Sequence, residues 1–229
     1  MPAFLPAPLR RPAIAWTCSL GLALAWDLGA QDLAVMQWLA TDQGFPLRDI
    51  PLLRMGLHDG LRQLAIASLL VLLVWALRAA ATDPATRRER LAVLGGVLLS
   101  LLAVNLLKLR SLTSCPWDLI EFGGRARYVS HWVWGMPDGG AGRCFPGGHA
   151  SSALAFVALA MPGLTRGRRS GWAWLGAVLL AGAVAGGAQT LRGAHYPSHT
   201  LWTLVVCLGS AIVAWTVLVH RPWLPAGRG

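Results

Sequence analysis

Six apolar runs, at about residues 13–29, 62–81, 91–107, 149–164, 171–190 and 201–219, approach the length needed to cross a bilayer. Inside hydrocarbon a segment must satisfy its own main-chain polar groups, so runs of this length are predicted to be helices. The expectation is therefore an all-α fold, a bundle of six transmembrane helices in a single domain spanning 1–229. Composition agrees, with 55% hydrophobic and 13% charged residues. The fourth run is the least regular, because Ser151 and Ser152 lie near its start and Pro162 near its end. Between the third and fourth runs, residues 109–148 form the longest polar excursion, rich in glycine and punctuated by Pro116, Pro137 and Pro146. A loop of that length beside a site is expected to serve it.

Orientation follows from the arginines. Dense clusters at Arg10–Arg11, Arg87–Arg88, Arg166–Arg169 and Arg221 fall at one set of run ends, which places those ends and both termini in the cytoplasm. Residues 1–29 resemble a signal peptide in outline, but Trp26 and Asp27 fit a retained first span better. The formal net charge of +10 is divided between loops on both faces, which argues against nucleic acid and for anionic lipid as the partner. Trp75, Trp172, Trp174 and Trp202 near run ends suit an interfacial belt, and Trp132 and Trp134 would rest the long loop on the outer leaflet. Cys18 and Cys207 lie within apolar runs, whereas Cys115 and Cys144 share the long outer loop, where an oxidising compartment would allow them to form a disulfide.

The chemistry is concentrated in three polar islands, all at the ends opposite the dense arginine clusters. The first holds Lys108, the single lysine of the chain, with Cys115-Pro116 following. The second is Cys144-Phe145-Pro146-Gly147-Gly148-His149, ahead of the fourth run, where unpaired N–H groups of a helix start attract anions. The third is Arg192-Gly193-Ala194-His195-Tyr196-Pro197-Ser198-His199, in which His195 stands just before a helix opened by Pro197. Arg192 offers a planar fork suited to phosphate oxygens.

In that order and setting, the islands resemble the motifs of the type 2 phosphatidic acid phosphatase superfamily, integral membrane lipid phosphatases with the pattern K-x6-R-P, P-S-G-H and S-R-x5-H-x3-D. Lys108 and Pro116 match the first part, with Cys115 in place of arginine. Pro146, Gly148 and His149 match the second, with Gly147 in place of serine. His195 matches the third, but Ala188 and Gln189 replace its Ser-Arg pair and His199 replaces its aspartate. The resemblance covers roughly residues 90–220. It implies that His195 is the nucleophile, that His149 is the acid and then the base, and that His199 orients His195. Lys108, Arg192, Gly147, Gly148, Arg143 and Arg110 are the candidate phosphate-holding groups. Asp118 or Glu121 could return a carboxylate to the site.

The implied activity is hydrolysis of a phospholipid, prenyl or lipid A phosphate at the periplasmic face of a bacterial inner membrane, with no cofactor or metal and no obligate protein partner. Two alternatives stand beside it, a lipid phosphotransferase and a non-catalytic module that binds or transports lipid headgroups. A three-histidine zinc hydrolase built on His149, His195 and His199 is a further rival, one that a chelator would inactivate.

Overall fold

The computed structural model describes residues 7–78 and 83–220, without the side chains of Ala7 and His58. Eight α-helices account for most of them: α1 Arg10–Leu28, α2 Gln31–Leu39, α3 Leu61–Leu77, α4 Pro84–Arg110, α5 Gly148–Leu154, α6 Met161–Thr165, α7 Arg169–Leu191 and α8 Pro197–Trp215. No strand occurs among the described residues, only two isolated bridges, Thr41 with Gly44 and Leu119 with Ala126.

Among the described residues four helices are long and apolar enough to cross a membrane, and a fifth crossing follows if α1 and α2, bent by 73°, count as one span. This is a multi-pass membrane protein, and exposed Leu70, Val71, Leu102 and Leu180 leave apolar surface facing outward. The six-run expectation differs at residues 149–164. There α5 gives way to a 3-10 stretch, Ala155–Ala160, before α6 resumes. Apolarity alone does not report such a change of winding. Most of this segment is buried, since Leu154, Ala155, Val157, Ala158, Ala160 and Met161 are each at most 2% exposed. Arg221 and residues 79–81 of the second run lie outside the described residues.

α4 and α8 form the centre. Asp83 caps α4 by accepting from Ala85 and Thr86 N–H, both at 3.0 Å, and Pro84 occupies the first turn, where its missing N–H costs nothing. Gly96 lets α4 approach closely, because a Cβ there would stand 3.0 Å from Ala158 Cβ and 3.3 Å from Ala211 Cα. Ser100 Oγ ties the pair by donating to Gly96 O at 2.7 Å and lying 3.3 Å from Cys207 O on α8. Val93, Val97, Val104, Leu208, Ala211 and Trp215 fill the interface. α1 joins the same core through Trp16, whose indole donates to Val205 O at 3.1 Å.

The long loop after α4 is internally ordered. Asp138 accepts from Ser114 N (2.5 Å), Ser114 Oγ (2.8 Å) and Gly140 N (2.9 Å), while Cys144 N donates to Thr113 O at 2.9 Å. Beneath it a second apolar cluster joins Met36, Phe45, Leu119, Ala126 and Tyr196, so the loop is seated on α2 and on the lead-in to α8.

Candidate active site

α4 ends, and α5 and α8 begin, beside one another. Lys108, in the last turn of α4, lies over Gly148: a Cβ built on Gly148 would meet Lys108 Cδ at 3.5 Å and Nζ at 3.7 Å. A Cβ at 148 would make ordinary contact with the lysine side chain, so these distances place Lys108 beside Gly148 without requiring a glycine there. His149 follows, half-buried, with its ring centroid 6.2 Å from that of His195. His195 is only 4% exposed, and its Nδ1 faces His199 Nδ1 at 3.3 Å. Lys108 and three histidines from three islands are thus assembled at one end of the bundle.

Electrostatics set the protonation of the central ring. Burial is the largest influence holding the His195 imidazole well below the ordinary histidine range, and the charges of Lys108 and His149 add to it. A hydrogen bond with the Cys144 main chain pulls the other way. His195 is therefore neutral at pH 7, with a lone pair available to an electrophile.

Cys115 and Cys144 form a disulfide whose Cα atoms are 5.2 Å apart. The bond ties the residue seven after Lys108 to the start of the second island, and Cys144 Sγ lies 3.3 Å from His195 Nδ1. A disulfide sulfur carries no proton, so the contact of Cys144 Sγ with Ala194 O at 3.2 Å is close packing only.

Several expected roles change. The N–H of Gly147 donates to His199 O at 3.1 Å, so it is committed to joining α5 to α8 and is not available to a phosphoryl oxygen. Arg192 is 7% exposed and directs Nε to Arg48 O at 2.8 Å and Nη1 to Gln189 Oε1 at 3.3 Å. Its guanidinium also lies 5.9 Å from the centroid of the Trp117 ring, over which Arg48 stacks at 4.6 Å. Arg192 thus clamps the segment after α2 to the long loop after α4. Burial lowers its affinity for a proton, while Asp49 opposes that change and Arg54 and Arg48 reinforce it. Arg110 and Arg143 are exposed, and Arg143 N donates to Ser111 O at 2.8 Å, which makes their backbones neighbours at the rim beyond Lys108.

The carboxylates that act on a histidine here are Asp27, in the last turn of α1, and Asp32, in the first turn of α2 across the left-handed Ala30, and that histidine is His131. Asp32 accepts from Ser198 N at 3.1 Å and from Ser198 Oγ, and so caps α8 from another helix, while Trp26 Nε1 donates to it at 2.8 Å. Asp27 Oδ2 takes Trp202 Nε1 at 2.8 Å, Trp132 Nε1 at 2.9 Å and His131 Nε2 at 3.2 Å. Trp132 and Trp202, expected at the interface, both direct their indole N–H groups to this carboxylate, and Trp132 stays half exposed. His131 carries no motif in the sequence, and only its contacts identify it.

Two groups among the described residues have metal-ligand spacing, Cys115 with Cys144 and His195, and Asp27 with Asp32 and His131. The first pair of sulfurs is oxidised to a disulfide and offers no thiolate. In the second, indole, hydroxyl and amide donors already occupy the carboxylates.

No curated protein and no solved structure matches the chain. Residues 89–223, more than half of its 229 residues, match the model of the PAP2 superfamily. The stretch contains Lys108, His149, His195 and His199, and on this evidence the chain belongs to the PAP2 superfamily, a family of phosphatases and related phosphoesterases.

Proposed function

We propose that this protein is a membrane lipid phosphatase that hydrolyses a lipid phosphate monoester or diphosphate through a phosphohistidine on His195. The observation that carries the reading is the neutral, buried His195 with His149 and Lys108 beside it, the rings of the two histidines 6.2 Å apart. With the proton on Nδ1, facing His199, the Nε2 lone pair attacks phosphorus. An N–P bond forms as the P–O bond to the lipid breaks, and His149 gives its proton to the departing oxygen. Lys108, with Arg110 and Arg143 at the rim, faces the charge that develops on the phosphoryl oxygens. His149 then takes a proton from water, water oxygen attacks phosphorus, and phosphate leaves with His195 restored.

The site is assigned to the periplasmic face of a bacterial inner membrane, with both termini cytoplasmic. The broken segment Gly148–Thr165 is counted as the sixth crossing. At the α-helical rise its 18 residues would reach about 27 Å, close to the hydrocarbon thickness of about 30 Å. Water is the proposed acceptor. The test is phosphate release from a panel of lipid mono- and diphosphates in detergent, by wild type and by His195→Ala. Release that vanishes in the variant supports the reading. Headgroup binding with no turnover in the wild type would point instead to a binding module.

A further inference from the structure

His199 stands where the family pattern carries aspartate, and a neutral imidazole cannot supply a negative charge. Its Nδ1 faces His195, and its Nε2 is buried without a hydrogen-bond partner among the described residues. The next polar ring outward is His131, set at 83° to His199 with centroids 6.1 Å apart. His131 is held in that pose from two sides. Phe145 stacks on it at 4.3 Å and also abuts His199 at 5.2 Å, while Asp27 Oδ2 meets His131 Nε2 at 3.2 Å. The same carboxylate oxygen accepts from Trp202, which lies three residues after His199 on α8, and from Trp132 beside His131. Three N–H donors converging on one oxygen fix that carboxylate in place.

We propose that Asp27, acting through His131, is a positioning carboxylate that supports His199, and through it the nucleophile His195, in place of an aspartate at position 199. The proposal rests on the hydrolase reading above. Attack on phosphorus leaves the His195 ring cationic, and the Nδ1 proton is shared with His199. Positive charge then spreads onto a ring with no carboxylate of its own. A fixed negative charge one ring further out stabilises that distribution, because interactions at this depth are weakly screened. The other charged or titratable groups near His131 are Asp32, from α2, and His199 itself. Asp32 is already engaged by Ser198 and Trp26, and serves chiefly to cap α8.

A double-mutant cycle separates this role from simple scaffolding. Asp27→Asn keeps the shape and an acceptor oxygen for the indoles while removing the charge. It should lower kcat by about tenfold with KM unchanged, a coupling of ordinary size for residues in one network. In a His199→Asp background, where a carboxylate touches His195 directly, the same change should cost less than about twofold. His131→Gln should follow the same pattern and guards against a single misfolded variant. Equal losses in both backgrounds, or no loss in either, would overturn the proposal. If wild type releases no phosphate from any lipid, the hydrolase reading fails separately. The ring-nitrogen resonances of His199 then decide: Asp27→Asn should shift them, and unshifted resonances would overturn the coupling.

Discussion

His195 Nδ1 and His199 Nδ1 face each other at 3.3 Å across a site closed to solvent, so two imidazoles meet where the family pattern pairs an imidazole with a carboxylate. One ring must donate and the other accept. The proposed reaction fixes which: the proton belongs on His195 Nδ1, because attack through Nε2 requires that nitrogen to be bare.

His199→Asp should therefore keep activity or raise it. Asp Oδ1 and His Nδ1 both branch from Cγ, so the substitution puts a carboxylate oxygen near the place Nδ1 now holds. Steady-state kcat of the purified variant checks this, and its pH profile should show a changed acid limb.

Removing the proposed reacting groups should have the opposite effect. His195→Ala should abolish turnover, and His149→Ala should slow it by about 10²–10⁴-fold, the usual range for a lost acid–base group. Lys108→Ala should lose most activity as well, because the ammonium over Gly148 has no second lysine to replace it. Phosphate release from matched amounts of folded protein measures all three.

The pH dependence has a definite sign. His195 is held well below the ordinary histidine value of 6.5, chiefly by burial, so its neutral form persists as pH falls through that value. The limb of kcat/KM due to the nucleophile should lie well under pH 6.5, and activity is lost only when the depressed value is reached. An acid limb at the ordinary histidine value, assigned to His195 by its ring resonances, would contradict the burial argument.

How much of this could be read along the chain depends on sequence separation. His149 and Lys108 announce themselves because each stands beside a run end in a fixed order, and His195 and His199 because four residues place them together. The outer carboxylates carry no such signal. Asp27 meets His131 and Trp202 across 104 and 175 residues, and neither pairing belongs to a local pattern. The Gly147 amide is similar: glycine at a helix start reads as an open anion site until His199 O is found against it. The 3-10 stretch within Gly148–Thr165 was hidden for another reason, since an apolar run has the same composition in either winding.

Reduction of Cys115–Cys144 should loosen the long loop after α4. The cysteines are separated by 29 positions, and closing a loop of that size stabilises by about 3 kcal/mol in the chain-entropy account. Thermal unfolding with and without reductant should show a lower Tm for the reduced protein. Turnover should fall alongside, because Cys144 Sγ packs on the His195 ring.

The most direct test is to incubate the protein with a radiolabelled lipid phosphate in the presence of EDTA, denature it rapidly at alkaline pH, and ask whether label stays on the chain. The account predicts an acid-labile, alkali-stable adduct on His195 that is absent from His195→Ala, together with phosphate release that EDTA does not diminish. Release that EDTA abolishes, with no label on the wild-type chain, would contradict the phosphohistidine account and favour a metal-bound nucleophile.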